Sequence, residues 1–350
     1  MRRFVIATTL LICLLLAPGA LARAPHSFYG VISANDPDAS EIARMGAGKV
    51  GTLRVNFVWG AVQPAPGAPL NWSHYDAIVG PAAQNGIRVL PTIYSSPAWA
   101  AAQTNYPPAR QYMDDFGAFV HAAALRYGKK GGFWAEHPEI PRMPITHWQL
   151  WNEVNTPNFW YPKPRAKQYV SLLRVTHDKI KSADPSAKIL LSGLFMKPNG
   201  RNGVRLVKYL PGIYRAGGKR LFDAVSVHPY AGTPRKALRD LLLTREIMSH
   251  FHDGRKQLWI TEIGWATGGV SITGGASTVA VTPSRQATYL RKTYKLLAAN
   301  RKRLHLAGVV WYSWRDGPGG FWVEHTGLFT SDLSPKPAWY AFVSLTGGTP

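Results

Sequence analysis

A chain of 350 residues that is 46% hydrophobic and 17% charged can bury a large core. Its 41 Lys and Arg face 19 Asp and Glu, a formal net charge of +22 that favours acidic partners: an anionic polysaccharide, a cell surface or nucleic acid. The one cysteine, Cys13, excludes a disulfide framework.

Arg2 and Arg3 open the chain, residues 4–16 form a short apolar run, and Ala20-Leu21-Ala22 supplies a small-x-small cleavage pattern. Residues 1–22 therefore read as a removed signal peptide, with 23–350 as the mature domain, secreted or held at the cell envelope. Cys13 leaves with the leader, so the mature chain has no thiol chemistry. No later stretch is apolar enough for a membrane helix. The basic residues are scattered, as in Arg291-Lys292 and Arg301-Lys302-Arg303. They read as solvated helix faces. Nucleic-acid binding would rest on charge alone and is not expected.

From there, short β-rich runs alternate with longer helical patterns, the signature of βα units around a parallel sheet. Strands are predicted over 28–33, 51–58, 88–93, 145–151, 189–194, 224–228, 257–262 and 306–313. Helices are predicted near 39–45, 74–84, 111–127, 164–183, 203–216, 235–252, 283–300 and 336–345. Thr282-Pro283 gives an N-cap and a first-turn proline, with Gln286 following. Eight such units in one chain fit a single-domain (β/α)8 barrel. The rival, an open doubly wound sheet, usually carries a Gly-rich turn after its first strand. Gly46-Ala47-Gly48-Lys49-Val50-Gly51 matches that pattern by letter but precedes a strand, so it reads as a loop using glycine for positive φ.

In such a barrel, chemistry belongs at the C-terminal ends of the strands. Of the seven glutamates, Glu41 and Glu246 fall in outer helices, Glu136 and Glu139 precede strand four, and Glu324 lies in a loop as a solvated charge. Glu153 ends strand four and Glu262 ends strand seven. Two carboxylates across the mouth can flank a glycosidic bond; retention needs them about 5–5.5 Å apart. One must donate a proton and the other must attack as an anion. Arg54, a cation among apolar residues of strand two, needs a partner. Glu262 is the obvious one, and the pairing would keep it ionised, leaving Glu153 as the acid. Asn152 could hydrogen-bond a sugar 2-hydroxyl. His228 and Tyr230 share a parity at the end of strand six, and Tyr230 could donate to Glu262. Strict alternation would put Asn152 and Glu153 on opposite faces, so the backbone is expected to turn there. Trp59, Tyr94, Trp99, Trp160, Tyr161, Trp265, Trp311, Trp314 and Trp322 end or follow strands and could form a sugar platform, with Trp311 or Trp314 as its floor. Trp148, Trp259 and Trp339 read as core.

Trp151-Asn152-Glu153, His228-x-Tyr230, Thr261-Glu262-x-Gly264-Trp265 and Arg54 together resemble the clan A glycoside hydrolases, among them the family 5 cellulase-like and family 39 β-xylosidase-like enzymes. The resemblance implies a (β/α)8 barrel. It also implies retaining double displacement by Glu153 and Glu262, no metal or other cofactor, and an oligo- or polysaccharide substrate. Residues 327–339 resemble the clan's barrel closure. Tyr94 to Trp99 lacks the histidine that many family 5 members carry after strand three. The alternative is an inactive carbohydrate-binding protein on the same barrel. No H-E-x-x-H or G-x-S-x-G supports a metal or serine hydrolase.

Overall fold

The computed structural model describes residues 24–33, 35–198, 202–270 and 280–350. The leader assigned to 1–22 lies outside them. Nine strand segments form one parallel sheet: β1 (Tyr29–Ile32), β2 (Thr52–Val58), β3 (Arg88–Tyr94), β4 (His147–Leu150), β5 (Lys188–Leu190), β6 (Leu194–Phe195), β7 (Ala224–His228), β8 (Gln257–Ile263) and β9 (Leu306–Tyr312). β9 pairs with β1, and Leu190 of β5 pairs with Ala224 of β7, so the sheet closes on itself. β5 and β6 are two halves of one stave, interrupted at residues 191–193, which makes an eight-staved barrel.

The helices are α1 (Ala39–Ala47), α2 (Trp59–Val62), α3 (Ser73–Gln84), α4 (Met113–Tyr127), α5 (Gly132–Glu136), α6 (Ala166–Ala183), α7 (Leu206–Arg215), α8 (Pro234–His250), α9 (Pro283–Ala299), α10 (Arg301–Leu304) and α11 (Pro337–Thr346). The eight long predicted patterns all form helices; the one-turn α2, α5 and α10 carry too few residues to show a period. Thr282 caps α9 through the backbone N–H of Arg285 at 3.2 Å. Gln286 takes no part in that cap. Its buried amide instead donates to the carbonyl of Trp265 at 2.8 Å, tying α9 to the β8 loop.

The predicted glycine turn at 46–51 is built differently. Positive φ falls on Lys49, at 53°. The glycines answer close approach: a Cβ on Gly48 would lie 2.0 Å from the Trp339 ring, and one on Gly51 2.0 Å from the carbonyl of His26.

The main core fills the space between barrel and helices, with Trp148 and Trp339 in it as expected. A second, small cluster of Leu90, Leu190, Ala224 and Trp259 plugs the barrel at its N-terminal end. Gly308 leaves room for that plug, since a Cβ there would meet Trp259 at 2.4 Å. The plugged end leaves the C-terminal mouth as the open face where β-strand residues meet solvent.

Candidate active site

β2 and β3 position the cation. Arg54 is 1% exposed and uses its whole guanidinium: Nε donates to Thr92 Oγ1 at 2.8 Å, Nη1 to Glu262 Oε1 at 2.7 Å and Nη2 to Asn152 Oδ1 at 2.8 Å. A buried ion bonded through all three of its nitrogens is held in one geometry. The bond to Asn152 Oδ1 also orients that amide, leaving its N–H2 to donate elsewhere.

The expected turn after β4 is present. The strand stops at Leu150, and Trp151 and Glu153 take positive φ, 64° and 39°. Two left-handed residues flanking Asn152 break the alternation, so Asn152 and Glu153 both reach the mouth. On the other side, the register of β8 shifts between Ile260 and Ile263, which brings the adjacent Thr261 and Glu262 into the site together.

His228, with no exposed surface, joins the halves. Its Nδ1 lies 2.7 Å from Glu153 Oε1 and 3.4 Å from Glu262 Oε2, and its Nε2 lies 3.1 Å from Thr261 Oγ1. Tyr230 donates its hydroxyl to Glu262 Oε2 at 3.0 Å. One carboxylate oxygen from each glutamate and a ring nitrogen of His228 lie within 4.8 Å of one another.

The two acids differ in environment. Burial pushes the Glu153 carboxyl well above the usual range, and the nearby Glu262 charge adds to this. Burial also raises Glu262, but Arg54 opposes it by charge and hydrogen bond, and Tyr230 helps. Glu153 therefore keeps its proton when Glu262 has lost its own. His228 is held well below its ordinary value, first by burial and then by Arg54, so it is neutral.

Glu153, His228 and Glu262 are also the one donor set among the described residues with metal-ligand proximity. Its chemistry fits a cation poorly. Glu262 already carries the buried Arg54 guanidinium, and both His228 nitrogens have partners.

The aromatic platform needs correction. Trp59, Trp265, Trp311 and Trp314 have no exposed surface and Trp160 only 3%. Trp311 alternates away from the barrel interior; its indole donates to the carbonyl of Thr326 at 3.0 Å, and its ring leans on Trp265. Trp314 donates to Glu41 at 3.0 Å and packs against Phe329 and Trp339. Neither is a floor for a sugar, and Trp265 offers none. The partly exposed rings among these are Tyr94, Trp99 and Trp322, and Tyr161 is exposed while stacked on Tyr106. Trp99 leans on Trp59 and Tyr112, and Trp322 meets Tyr230 edge-on at 5.0 Å.

Thr92 and Tyr312 were not singled out in the sequence, and Thr261 was quoted there only as part of a motif, with no role. Tyr312 follows Trp311 and takes the opposite face. Burial raises its hydroxyl, and the Glu262 charge raises it further. Strand alternation carried that signal, once the face of Trp311 was known. Glu324 turns back to accept from the backbone N–H of Phe321 at 3.1 Å, away from the two acids.

No protein-family model and no curated protein sequence matches the chain. Solved structures do. A family 39 glycoside hydrolase from the gut symbiont Bacteroides cellulosilyticus superposes with a TM-score of 0.68 at 23% identity, over 92% of this chain and 64% of that one. A monomeric β-xylosidase from Caulobacter crescentus gives 0.65 at 16% identity, over 93% and 69%. An intracellular xylanase from Thermoanaerobacterium saccharolyticum gives 0.56 at 15% identity, over 90% and 95%. The chain thus spans about two thirds of the length of the first two and nearly the whole of the third. Its barrel has the fold of the family 39 glycoside hydrolases and of the clan A enzymes around them.

Proposed function

We propose that this chain is a secreted retaining β-glycosidase that cleaves O-glycosidic bonds of an oligo- or polysaccharide by double displacement. The observation that carries the reading is the pair of glutamates at the barrel mouth, one carboxylate oxygen of each within 4.8 Å of the other and the two in unequal environments. That spacing suits a nucleophile and an acid acting on one anomeric carbon, and leaves too little room for the water an inverting pair needs.

Glu262, held ionised by Arg54 and Tyr230, attacks the anomeric carbon. Glu153 gives its proton to the leaving oxygen as the glycosidic bond breaks. A covalent glycosyl-enzyme forms. Glu153, now a carboxylate, takes a proton from water, whose oxygen attacks the same carbon from the face the leaving group left. The sugar departs with its original configuration, and Glu262 is regenerated. Asn152 donates its amide N–H to the sugar 2-hydroxyl, a contact that strengthens as the ring flattens. The xylosidase and xylanase among the structural neighbours make β-xylosides the first substrates to try. The leader pattern at 1–22 supports secretion or envelope retention.

The test is turnover on a panel of aryl β-glycosides and polysaccharides, with product mass analysis and the first-formed anomer read by NMR. Release of the β-anomer first is expected, with Glu262→Gln inactive and azide rescuing Glu262→Ala to an α-glycosyl azide. Glycan retained without any sugar released would instead mark a binding protein on this barrel. Chelators are expected to leave the rate unchanged.

A further inference from the structure

The end of the barrel opposite the glutamates is not smooth. Below the Leu90–Trp259 plug lies a cavity of about 510 Å³. Three arginines line it from distant parts of the chain, Arg88 and Arg142 exposed and Arg301 partly so. Arg88 opens β3, Arg142 lies in the loop before β4, and Arg301 opens α10. No carboxylate is among its lining residues that the structure describes. Neither Arg88 nor Arg301 has an acidic partner within ion-pair distance among the described residues. Arg142 reaches only the carbonyl of Lys129. Three like charges around one concavity repel one another, and no carboxylate among the described lining residues balances them.

The remaining wall suits a small organic body. Trp259 is 7% exposed, and its indole is braced by Gln257 Oε1 at 3.3 Å. His147 tilts against it at 5.5 Å, and the rest is largely aliphatic. Guanidinium forks bind carboxylate, sulfate and phosphate in two-pronged fashion. The volume falls within the range of small-molecule sites, about 300–1,000 Å³.

We propose that the N-terminal mouth of the barrel is a second, non-catalytic binding site for a small molecule bearing an oxyanion, held by Arg88, Arg142 and Arg301. An acidic sugar and a free inorganic oxyanion share this chemistry. The site is independent of the hydrolase reading, because it shares no residue with the glutamate pair.

His147 reports on occupancy. It is held at about 4, mainly by burial and then by the charges of Arg88 and Lys188, against Asp223. Asp223 itself is engaged by Lys181 and Lys188, each at 3.4 Å. The other groups facing His147 are the hydroxyl of Thr146, 2.9 Å from Nδ1, and the uncharged Trp259 ring. Arg142 and Arg301 complete the cationic wall of the same cavity. An anion seated among the arginines offsets their field, so its binding raises the His147 value.

The experiment is isothermal titration of the mature chain with glucuronate, inorganic phosphate and inorganic sulfate, with the His147 titration followed by NMR. Saturable binding of at least one is expected, with a His147 value moved upward at saturation. The double variant Arg88→Gln/Arg301→Gln should weaken binding at least tenfold, while Glu262→Gln should bind as the parent does. Tighter glucuronate names an acidic sugar as the source, and tighter phosphate or sulfate a free oxyanion; either order supports the site. No saturable binding of any of the three overturns it, as does affinity unchanged in the double variant or a His147 titration indifferent to ligand.

Discussion

Two carboxyl groups, one buried and one largely so, with an oxygen of each within 4.8 Å, share one proton more readily than they hold two charges. Arg54 decides which one is charged. Its Nη1 lies 2.7 Å from Glu262, while Glu153 has the neutral His228. If the pair acts as proposed, it sets both limbs of the rate profile: activity is expected to rise with pH as Glu262 loses its proton and to fall again as Glu153 loses its own at higher pH. Glu153→Gln is expected to remove the alkaline limb, since the group that titrates there is gone. It should lower kcat/KM for glycosides with poor leaving groups by about 100- to 10,000-fold. A dinitrophenyl glycoside needs no proton and should lose far less. Rates measured on a series of leaving groups of rising basicity check this. An equal loss across the series would remove Glu153 from the role of acid.

The supports of these side chains are the irregular parts of the barrel. Where β4 should continue, Trp151 and Glu153 adopt positive φ, and the fifth stave breaks at Leu191-Ser192-Gly193. Tyr169 spans the break, donating to the carbonyl of Leu150 at 3.1 Å and accepting from the N–H of Ser192 at 2.9 Å. Gly193 bridges to Asn152, and a Cβ there would lie 1.8 Å from Nε2 of His228. Gly193→Ala therefore has to push the buried His228 ring out of its place between Thr261 and Glu153. A displacement of about 1 Å costs near 100-fold in rate, and overpacking costs about 1–3 kcal/mol in stability. We expect both losses, read by kcat/KM and by thermal unfolding; an alanine variant with parental kinetics would show that the position of His228 does not matter. The turn after β4 was expected from the alternation, but its left-handed backbone and the break in the fifth stave were not legible in the sequence. Ile189 to Leu191 reads as one unbroken apolar strand, and no residue type announces left-handed backbone at Trp151. Tryptophan at the end of β9 was legible, but not which of Trp311 and Tyr312 faces inward.

At the level of the whole molecule, the eight-fold alternation was legible because each unit carries its own punctuation, such as Thr282-Pro283 before α9, and closure follows from the count. The pairing of Arg54 with Glu262 was legible too, since a cation in an apolar strand demands a partner. Long-range packing was not: nothing near Tyr230 in sequence foretells that Trp322 lies against it. The net charge of +22 invites a final test. Inside the mouth, the Arg54 charge is paired with Glu262, and burial favours the uncharged forms of Glu153 and His228. The excess positive charge thus lies outside the site and acts on substrate at a distance, through solvent. Salt screens such a field, with a Debye length of about 10 Å at 0.1 M and about 3 Å at 1 M. If the natural substrate is anionic, kcat/KM for an aryl glucuronide or for a uronate-bearing oligosaccharide should fall at least about tenfold across that salt range, as steering is lost. The matching neutral glycoside should change little, because the ion pair at Glu262 is buried and shielded from salt. Equal salt response for the two would mean that the charge serves something other than substrate capture.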